Sequence, residues 1–518
     1  MPIALQQLPK WALVPAATLA GATAVLGFAP FSIWPLAILA VVGFYQAVQG
    51  WRGGFLAGWG FGLGLLGFGV FWVRISLNEF GNMPVLVAHL LTGVFILAMA
   101  LYYGLAGWLV RFLSGEQERP TPDPGLAGPL LILPGVWVLF EWLRGWLFTG
   151  FPWLAMGYTQ IDAPLGGLAP VAGVYGVSLA VALSGGLLWL ILRSQGRRRW
   201  FALAGLVALW SVGAGLRLVE WTQPHGVPLR ATVIQANIQP SMKWDPDALL
   251  PILETHLELT QKRLADSDVI VWPETAVPEF LDEIRDGLIE PMTRTAQEEG
   301  VAIVLGVPYR DLDTRDYYNG LLSIGTAEDL YVKRHLVPFG EFLPFKAWLG
   351  PLIELFEVPM SDFSAGPPGA SVLMVNGVKV GASICYEDAF PEEVIQALPE
   401  AAYLINVSND AWFGDSLAPY QHLEIARMRA LEAGRPLVRA TNTGVSAVLD
   451  HRGAVLDSIP LFQRAGLTVE IQPRAGATPF ALVGNWLAIG LALAMVGAGA
   501  WFELRTRRGP QMNANERK

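Results

Sequence analysis

Residues 378–388 read VKVGASICYED, an apolar, β-rich run that reaches a cysteine and then turns polar. Cys385 is the single cysteine among 518 residues, so no intramolecular disulfide is open to it. A structural thiol belongs inside a strand or helix. This one stands at a strand's polar end, with Tyr386, Glu387 and Asp388 following at once. A thiolate is a strong nucleophile wherever its surroundings ease its formation. From position alone, Cys385 is either a nucleophile or an inert buried thiol.

Two other segments favour the nucleophile. The stretch DVIVWPE (268–274) is an apolar run ending in Trp272, Pro273 and the carboxylate of Glu274. The stretch YVKRHLVPFGE (331–341) offers Lys333 and Glu341 around a Pro/Gly turn. Prolines at strand ends and irregular loops go with presented side chains. A carboxylate, an ammonium and a thiol on three separate strand ends can converge. The carboxylate then accepts the thiol proton, and the ammonium stabilises the oxyanion formed when a carbonyl is attacked.

Glu, Lys and Cys in this chain order resemble the triad of the nitrilase superfamily. WPET (272–275), KRHLVPFGEFLPF (333–345), ICYED (384–388), NVSNDAWFG (406–414) and QHLEIARMRALEAGRP (421–436) resemble, within it, the apolipoprotein N-acyltransferases. The resemblance covers nearly the whole chain and implies Glu274 as general base, Lys333 as the cation beside thiol and oxyanion, and Cys385 as nucleophile. It implies that Glu341 orients Lys333 or completes the site, and that Glu387 shapes the pocket electrostatically. Tyr386 would offer a hydroxyl or its N–H to the oxyanion. Asn319, in YYNG (317–320), would support the site, and Trp244, in MKWD (242–245), would stand near its mouth or simply pack. Trp412 and Phe413 either line an acyl-chain path or are core aromatics. The implied reaction takes an acyl chain from membrane phospholipid, through a Cys385 thioester, to the α-amino group of an S-diacylglyceryl cysteine on an apolipoprotein. No cofactor is implied, and a monomer is expected. The rivals are a membrane-tethered amidase or nitrilase hydrolysing a soluble C–N substrate, and a non-catalytic lipoprotein-binding scaffold that would tolerate loss of Cys385.

Composition sets this chemistry at a membrane. Hydrophobic residues make up 53% of the chain and charged residues 15%, against roughly 25% charged in soluble domains. Residues 11–51, 53–73, 80–110, 145–161, 163–192, 200–216 and 475–502 contain no Asp, Glu, Lys or Arg. A span needs about 20 apolar residues, and APFSIWP (29–35) divides the first run in two. Eight spans are therefore predicted, near 11–28, 34–51, 54–73, 84–110, 128–150, 165–192, 200–218 and 482–503. Glu141 and Arg144, three apart in the fifth, are costly in lipid unless they face protein and each other, and are predicted to be a structural pair.

Lysine and arginine, including Arg197, Arg198, Arg199, Arg505, Arg507 and Arg508, crowd one side of these spans. That bias predicts both termini in the cytoplasm and an inner-membrane, multi-pass chain whose residues 219–481 face the periplasm. The predicted organisation is spans one to seven in 1–218, a catalytic domain in 219–481, span eight in 482–503 and a basic tail in 504–518. The net charge of −9 comes mostly from the outer domain, which argues against nucleic acid as a partner.

From 229 onward, short β-rich runs alternate with helix-like segments. Strands are predicted at 231–238, 268–272, 301–307, 320–324, 378–384, 402–407, 437–440, 446–450 and 467–471, and helices at 246–265, 279–299, 389–398 and 419–433. Such alternation reads as a layered α/β domain, which the nitrilase resemblance sharpens to a four-layer α-β-β-α sandwich. No repeat, glycine-rich phosphate loop or metal-ligand spacing is present, so no metal is expected. Residues 343–366 carry Phe345, Trp348, Leu352 and Phe356 among few charges. This arm is either a helix packed on its own domain or an interfacial lid.

Overall fold

The computed structural model describes residues 12–50, 54–115, 125–243, 245–344, 363–369 and 371–515. Trp244 and residues 345–362 of the apolar arm lie outside the described residues. The chain divides into two compact units: residues 1–71, 89–219 and 483–518 in one, and Trp72–Ala88 with Glu220–Leu482 in the other.

The first unit is helical. Among the described residues, five helices are long and apolar enough to cross a membrane: Val85–Ser114, Gly128–Thr149, Pro164–Arg193, Gly196–Leu216 and Trp486–Thr506. Phe55–Gly69 and Val73–Phe80, bent by 57° to each other, qualify together as a sixth. The first two predicted spans are shorter than expected, at 13 residues for Leu13–Val25 and 16 for Pro35–Gly50. Thirteen residues rise about 20 Å, short of a hydrocarbon core of about 30 Å. The reason is the break between them, where residues 26–34 form turns rather than helix.

Glu141 and Arg144 are both buried, and their hydrogen bonds serve the irregular segment that follows them. Glu141 Oε1 accepts from Met156 N at 2.9 Å and Trp137 Nε1 at 2.8 Å. Arg144 Nη1 donates to the carbonyls of Phe151 and Trp153 at 2.7 and 2.6 Å. Arg144 also acts electrostatically on Glu141, and both side chains serve non-helical backbone that, buried among apolar helices, needs partners.

Among the described residues, the second unit carries two six-stranded sheets and one two-stranded sheet. The strands are β1 (Gln223–Pro224), β2 (Leu229–Gln235), β3 (Val269–Val271), β4 (Ala302–Arg310), β5 (Tyr317–Ile324), β6 (Asp329–Val332), β7 (Val372–Val375), β8 (Val378–Ile384), β9 (Leu404–Ser408), β10 (Leu437–Thr441), β11 (Ser446–Leu449), β12 (Val455–Ile459), β13 (Ala465–Ile471) and β14 (Arg474–Ala475). One six-stranded sheet runs β13-β2-β3-β4-β5-β6 and the other β12-β11-β10-β9-β8-β7. Each holds a parallel trio, β2-β3-β4 or β8-β9-β10, flanked by antiparallel strands.

Alternation within the strands builds the layers. Val269, Val271, Val304, Val380, Ile384, Ile405, Val407 and Val438 point into a core between the sheets. Their neighbours Ile270, Ile303 and Leu305 face outward onto Leu259, Ile289 and Met292 of the helices between 249 and 299. Leu404 and Leu437 meet Ala426 and Ala430 of helix Ala418–Ala433. Strands apolar on both faces are strands covered on both faces, and the result is the expected four-layer α-β-β-α sandwich. The parallel strands bring the ends of β3, β8 and β9 to one side of it.

Candidate active site

Cys385 directly follows β8 and opens a short helical turn, Cys385–Ala389, at φ +53°. A non-glycine residue in this left-handed region is strained and must be held by its surroundings. The holder is Glu387. Its carboxylate accepts from Ile384 N at 2.8 Å, Arg334 N at 2.7 Å, His335 N at 3.2 Å and the Tyr331 hydroxyl at 2.9 Å. Glu387 thus staples the cysteine turn to the segment that presents Lys333. Burial pushes its pKa up, and the main-chain donors work against that push.

Glu274 stands three residues past β3, in a turn where Thr275 takes φ +47°. Gly306 of β4 lies against this turn. A Cβ there would stand 2.5 Å from the Pro273 oxygen and from Thr275 N, so the close approach requires glycine. Glu274 Oε1 accepts from Asn319 Nδ2 at 2.8 Å and lies 3.4 Å from Lys333 Nζ, while Oε2 accepts from Asn409 N at 2.8 Å.

Lys333 directly follows β6 and is fully buried. Its Nζ donates to Glu341 Oε1 at 2.7 Å, and its main-chain N–H donates to the Asn319 carbonyl at 2.8 Å. Asn319 Nδ2 also reaches Glu341 Oε1 at 3.2 Å, and Glu341 Oε2 accepts from Val337 N at 2.8 Å. The structure therefore brings Glu274, Lys333, Glu341 and Asn319 into one buried cluster. Burial alone would discharge Lys333, but the Glu341 and Glu274 carboxylates outweigh it and hold the ammonium above its usual range. Burial and the Glu274 carboxylate hold the Cys385 thiol well above its ordinary value, with Lys333 and the Ser408 hydroxyl pulling the other way. The resting group is therefore a thiol.

The remaining expected residues sit around this cluster. The Tyr386 ring packs 5.8 Å from His335 and 5.0 Å from Phe390. Trp412 and Phe413, on the turn Asp410–Phe413, stand outside the sandwich core. Their rings meet Phe80 at 4.9 Å and Trp72 at 4.7 Å, and Ser76 Oγ donates to the Trp412 carbonyl at 2.7 Å. The segment Trp72–Ala88 thereby closes on the turn that follows β9. The chain returning from the apolar arm is bonded to the site itself: Phe363 N donates to the Glu341 carbonyl and Gly366 N to that of Lys333, at 3.0 and 2.8 Å.

Sequence reasoning missed two features. Lys243 is buried and donates to the main-chain oxygen of Glu274 at 3.1 Å. Burial pushes it down to about 8, against the attraction of Glu274 and Cys385. It lines a small cavity with His256, Glu274, Thr275 and Asn442. The signal was its place beside Trp244 in MKWD, but a lysine in a polar segment reads as surface. The second feature is a buried ring of Asp388, Asp410, His422 and Arg439 behind the cysteine turn.

Residues 20–187 match the family model described as the apolipoprotein N-acyltransferase N-terminal domain, and residues 230–480 match that of carbon-nitrogen hydrolase. The chain is 45% identical over 445 residues to an apolipoprotein N-acyltransferase of Methylococcus capsulatus, covering 85% of this chain and 86% of that protein. It is 41% identical over 497 residues to one from Nitrosomonas europaea, covering 94% and 97%. Among solved structures it is similar to a nitrilase-superfamily member of Saccharomyces cerevisiae, with 19% identity, TM-score 0.36 and coverage of 49% of this chain and 93% of that one. A carbon-nitrogen hydrolase from Helicobacter pylori G27 gives 17% identity, TM-score 0.36 and coverage of 56% and 99%.

Proposed function

This chain belongs to the apolipoprotein N-acyltransferase family, and we propose that it N-acylates apolipoproteins in two stages on Cys385. In the first, Glu274 takes the thiol proton as sulfur attacks the carbonyl carbon of a phospholipid acyl ester. Lys333 faces the oxyanion, with the Tyr386 N–H as a second donor. The ester C–O bond breaks, the proton passes from Glu274 to the departing oxygen, and a lysophospholipid leaves a thioester behind. In the second stage the α-amino group of a diacylglyceryl cysteine attacks the thioester. Glu274 takes its proton and returns it to sulfur, and the amide is released.

The observation that carries this reading is the strained Cys385 turn set against a buried carboxylate–ammonium–carboxylate cluster in a chain of this family. A covalent intermediate divides one hard transfer into two easier ones. The buried Lys333 supports the oxyanion role because its charge is held by two carboxylates rather than by solvent. The five helices of spanning length support a multi-pass membrane protein. Counted with the bent pair Phe55–Gly69 and Val73–Phe80 as a sixth, their even number and the arginine bias support cytoplasmic termini and a catalytic domain on the periplasmic side. Phospholipid fits as donor because both substrates then reside in the bilayer, and a single chain supplies every group the scheme uses.

Mass spectrometry of the purified protein mixed with phospholipid tests the first stage. The expected result is one acyl mass on Cys385, absent from Cys385→Ala, together with complete loss of acyl transfer in that variant. Normal transfer by Cys385→Ala would overturn the proposal.

A further inference from the structure

Asp388, Asp410, His422 and Arg439 are each no more than 1% exposed. They come from four elements: the Cys385 turn, the turn Asp410–Phe413, helix Ala418–Ala433 and β10. His422 Nε2 lies 2.9 Å from Asp388 Oδ1, and Nδ1 lies 2.9 Å from Asp410 Oδ1. Arg439 closes the ring, with Nη1 3.2 Å from Asp388 Oδ2 and Nη2 3.0 Å from Asp410 Oδ2. Both imidazole nitrogens face carboxylate oxygens, so both donate and the ring is an imidazolium. Burial and Arg439 oppose that charge, yet the two carboxylates outweigh them and raise His422 to about 9. The ring closes with two negative and two positive charges.

This ring touches the nucleophile from two directions. Asp388 lies within the Cys385 turn itself. Ser408 Oγ donates to Asp410 Oδ1 at 2.7 Å, and the Asp410 charge disfavours a thiolate at Cys385. The other charged groups that act on Cys385 are Glu274, Lys333 and Lys243. The groups facing His422 include Asp388, Asp410 and Arg439.

We infer that Asp388, Asp410, His422 and Arg439 form a positioning and charge-balancing clamp for Cys385, with His422 as its central cation. The clamp ties the cysteine turn to the turn that carries Trp412 and Phe413. Its two cations also oppose the Asp410 field that disfavours the thiolate. The inference deepens the proposed function and rests on Cys385 being its nucleophile.

The chain has one thiol, so alkylation by iodoacetamide reads Cys385 alone. The test is the alkylation rate of the full-length protein in detergent at pH 7.5, where the His422 charge is intact. His422→Gln leaves an uncompensated carboxylate, and the rate is expected to fall about tenfold. Asp410→Asn removes that carboxylate, and the rate is expected to rise by a similar factor. His422→Gln is also expected to lower kcat for acyl transfer with KM little changed. A merely structural ring would loosen in both variants and move both rates the same way, or move neither; either result overturns the clamp. Should His422→Gln not fold, Arg439→Gln removes the ring's other cation and carries the same expected sign. The alkylation rates of the unacylated protein report on the clamp whether or not Cys385 is the group that accepts an acyl chain, whereas acyl transfer by Cys385→Ala tests the catalytic reading, so the two failures are distinguishable.

Discussion

Glu274 and Asp410 occupy matching places in the two sheets. Each stands just past the central strand of a parallel trio, β3 or β9. Each is overlaid by a glycine from the neighbouring strand or the loop just past it, Gly306 or Gly444, where an added Cβ would collide with the Glu274 turn or with the Asp410 carboxylate. Their company differs. Glu274 shares one ammonium, Lys333, with a second carboxylate, and the other nearby cation, Lys243, is bonded to a main-chain carbonyl and pushed down to about 8 by burial. Asp410 sits in a ring whose charges cancel, and burial's upward push on its pKa is overcome by His422 and Arg439, which hold it well below the usual carboxylate range. Asp410 is thereby held as an anion. On the proposed reading, the same topological site serves as a base in one sheet and as a clamp in the other, according to whether its charges close.

The largest effect expected from breaking this comparison falls on the open cluster. Glu274→Gln keeps an oxygen for Asn319 and Lys333 but cannot accept the thiol proton. Single-turnover acylation is expected to fall on the order of a hundredfold or more, with melting close to that of the parent. Lys333→Met is expected to lose as much rate and also stability, on the order of 3–5 kcal/mol, because it leaves two buried carboxylates without their cation. Equal melting temperatures for the two variants would mean that Lys333 does not hold the cluster together.

The two glycines give an intermediate contrast. At Gly306 an added methyl meets main-chain atoms 2.5–2.7 Å away, so the turn bearing Glu274 must move. Gly306→Ala is expected to slow acylation by about tenfold or more, since small misplacements of reacting groups are costly. Gly444→Ala meets the Asp410 carboxylate instead. It is expected to cost roughly 1–3 kcal/mol of stability by overpacking, with the smaller loss of rate. Kinetics and melting of both variants decide this. A larger rate loss in Gly444→Ala would reverse the roles assigned to the two sites.

Much of this was legible before any geometry. Glu274 and Cys385 each follow an apolar run that turns abruptly polar, and that pattern marks two strand ends, whereas Lys333 stands out by its Pro/Gly turn and by the resemblance. The covered strands β2, β3, β4, β8, β9 and β10 read clearly because both their faces are apolar. By contrast β6 and β12 lie partly or largely exposed, carry no clean alternation, and escape a reading based on pattern; β7, only four residues long, escapes it too. The clamp was hidden for a different reason. His422 reads as one polar residue on a mixed helix and Arg439 as a charge in a strand, and only the fold carries them to Asp388, 34 and 51 positions away in the chain. Charge-free runs gave the membrane helices but not their lengths, because turn residues between Val25 and Pro35 are as apolar as the helices they separate. Likewise Trp72–Ala88 reads as a link between spans, and its packing on Trp412 and Phe413 depends on aromatic contacts that composition does not reveal.

The smallest expected effect is a contrast in the pH dependence of stability. Burial depresses Lys243 to about 8 in the folded protein, against about 10.4 in an unfolded chain. Between those values the unfolded chain holds the proton and the folded protein has released it, so this group's contribution to stability rises with pH. Below about pH 8 both states hold the proton and the burial penalty is fully felt. His422 runs the opposite way. Its carboxylate partners raise it to about 9 against burial and Arg439, above roughly 6.5 for an unfolded histidine. Its contribution is fully present below pH 6.5 and is lost as pH rises through 9. From pH 7.5 to 9.5, Lys243→Met should therefore remove a rising component from the melting curve and His422→Gln a falling one, each worth a few degrees in apparent melting temperature. Measured as parent minus variant, the changes of the two differences with pH should have opposite signs. Like signs would mean that the open cluster and the closed ring respond to protons in the same way, and the distinction drawn between Glu274 and Asp410 would fail at its electrostatic root.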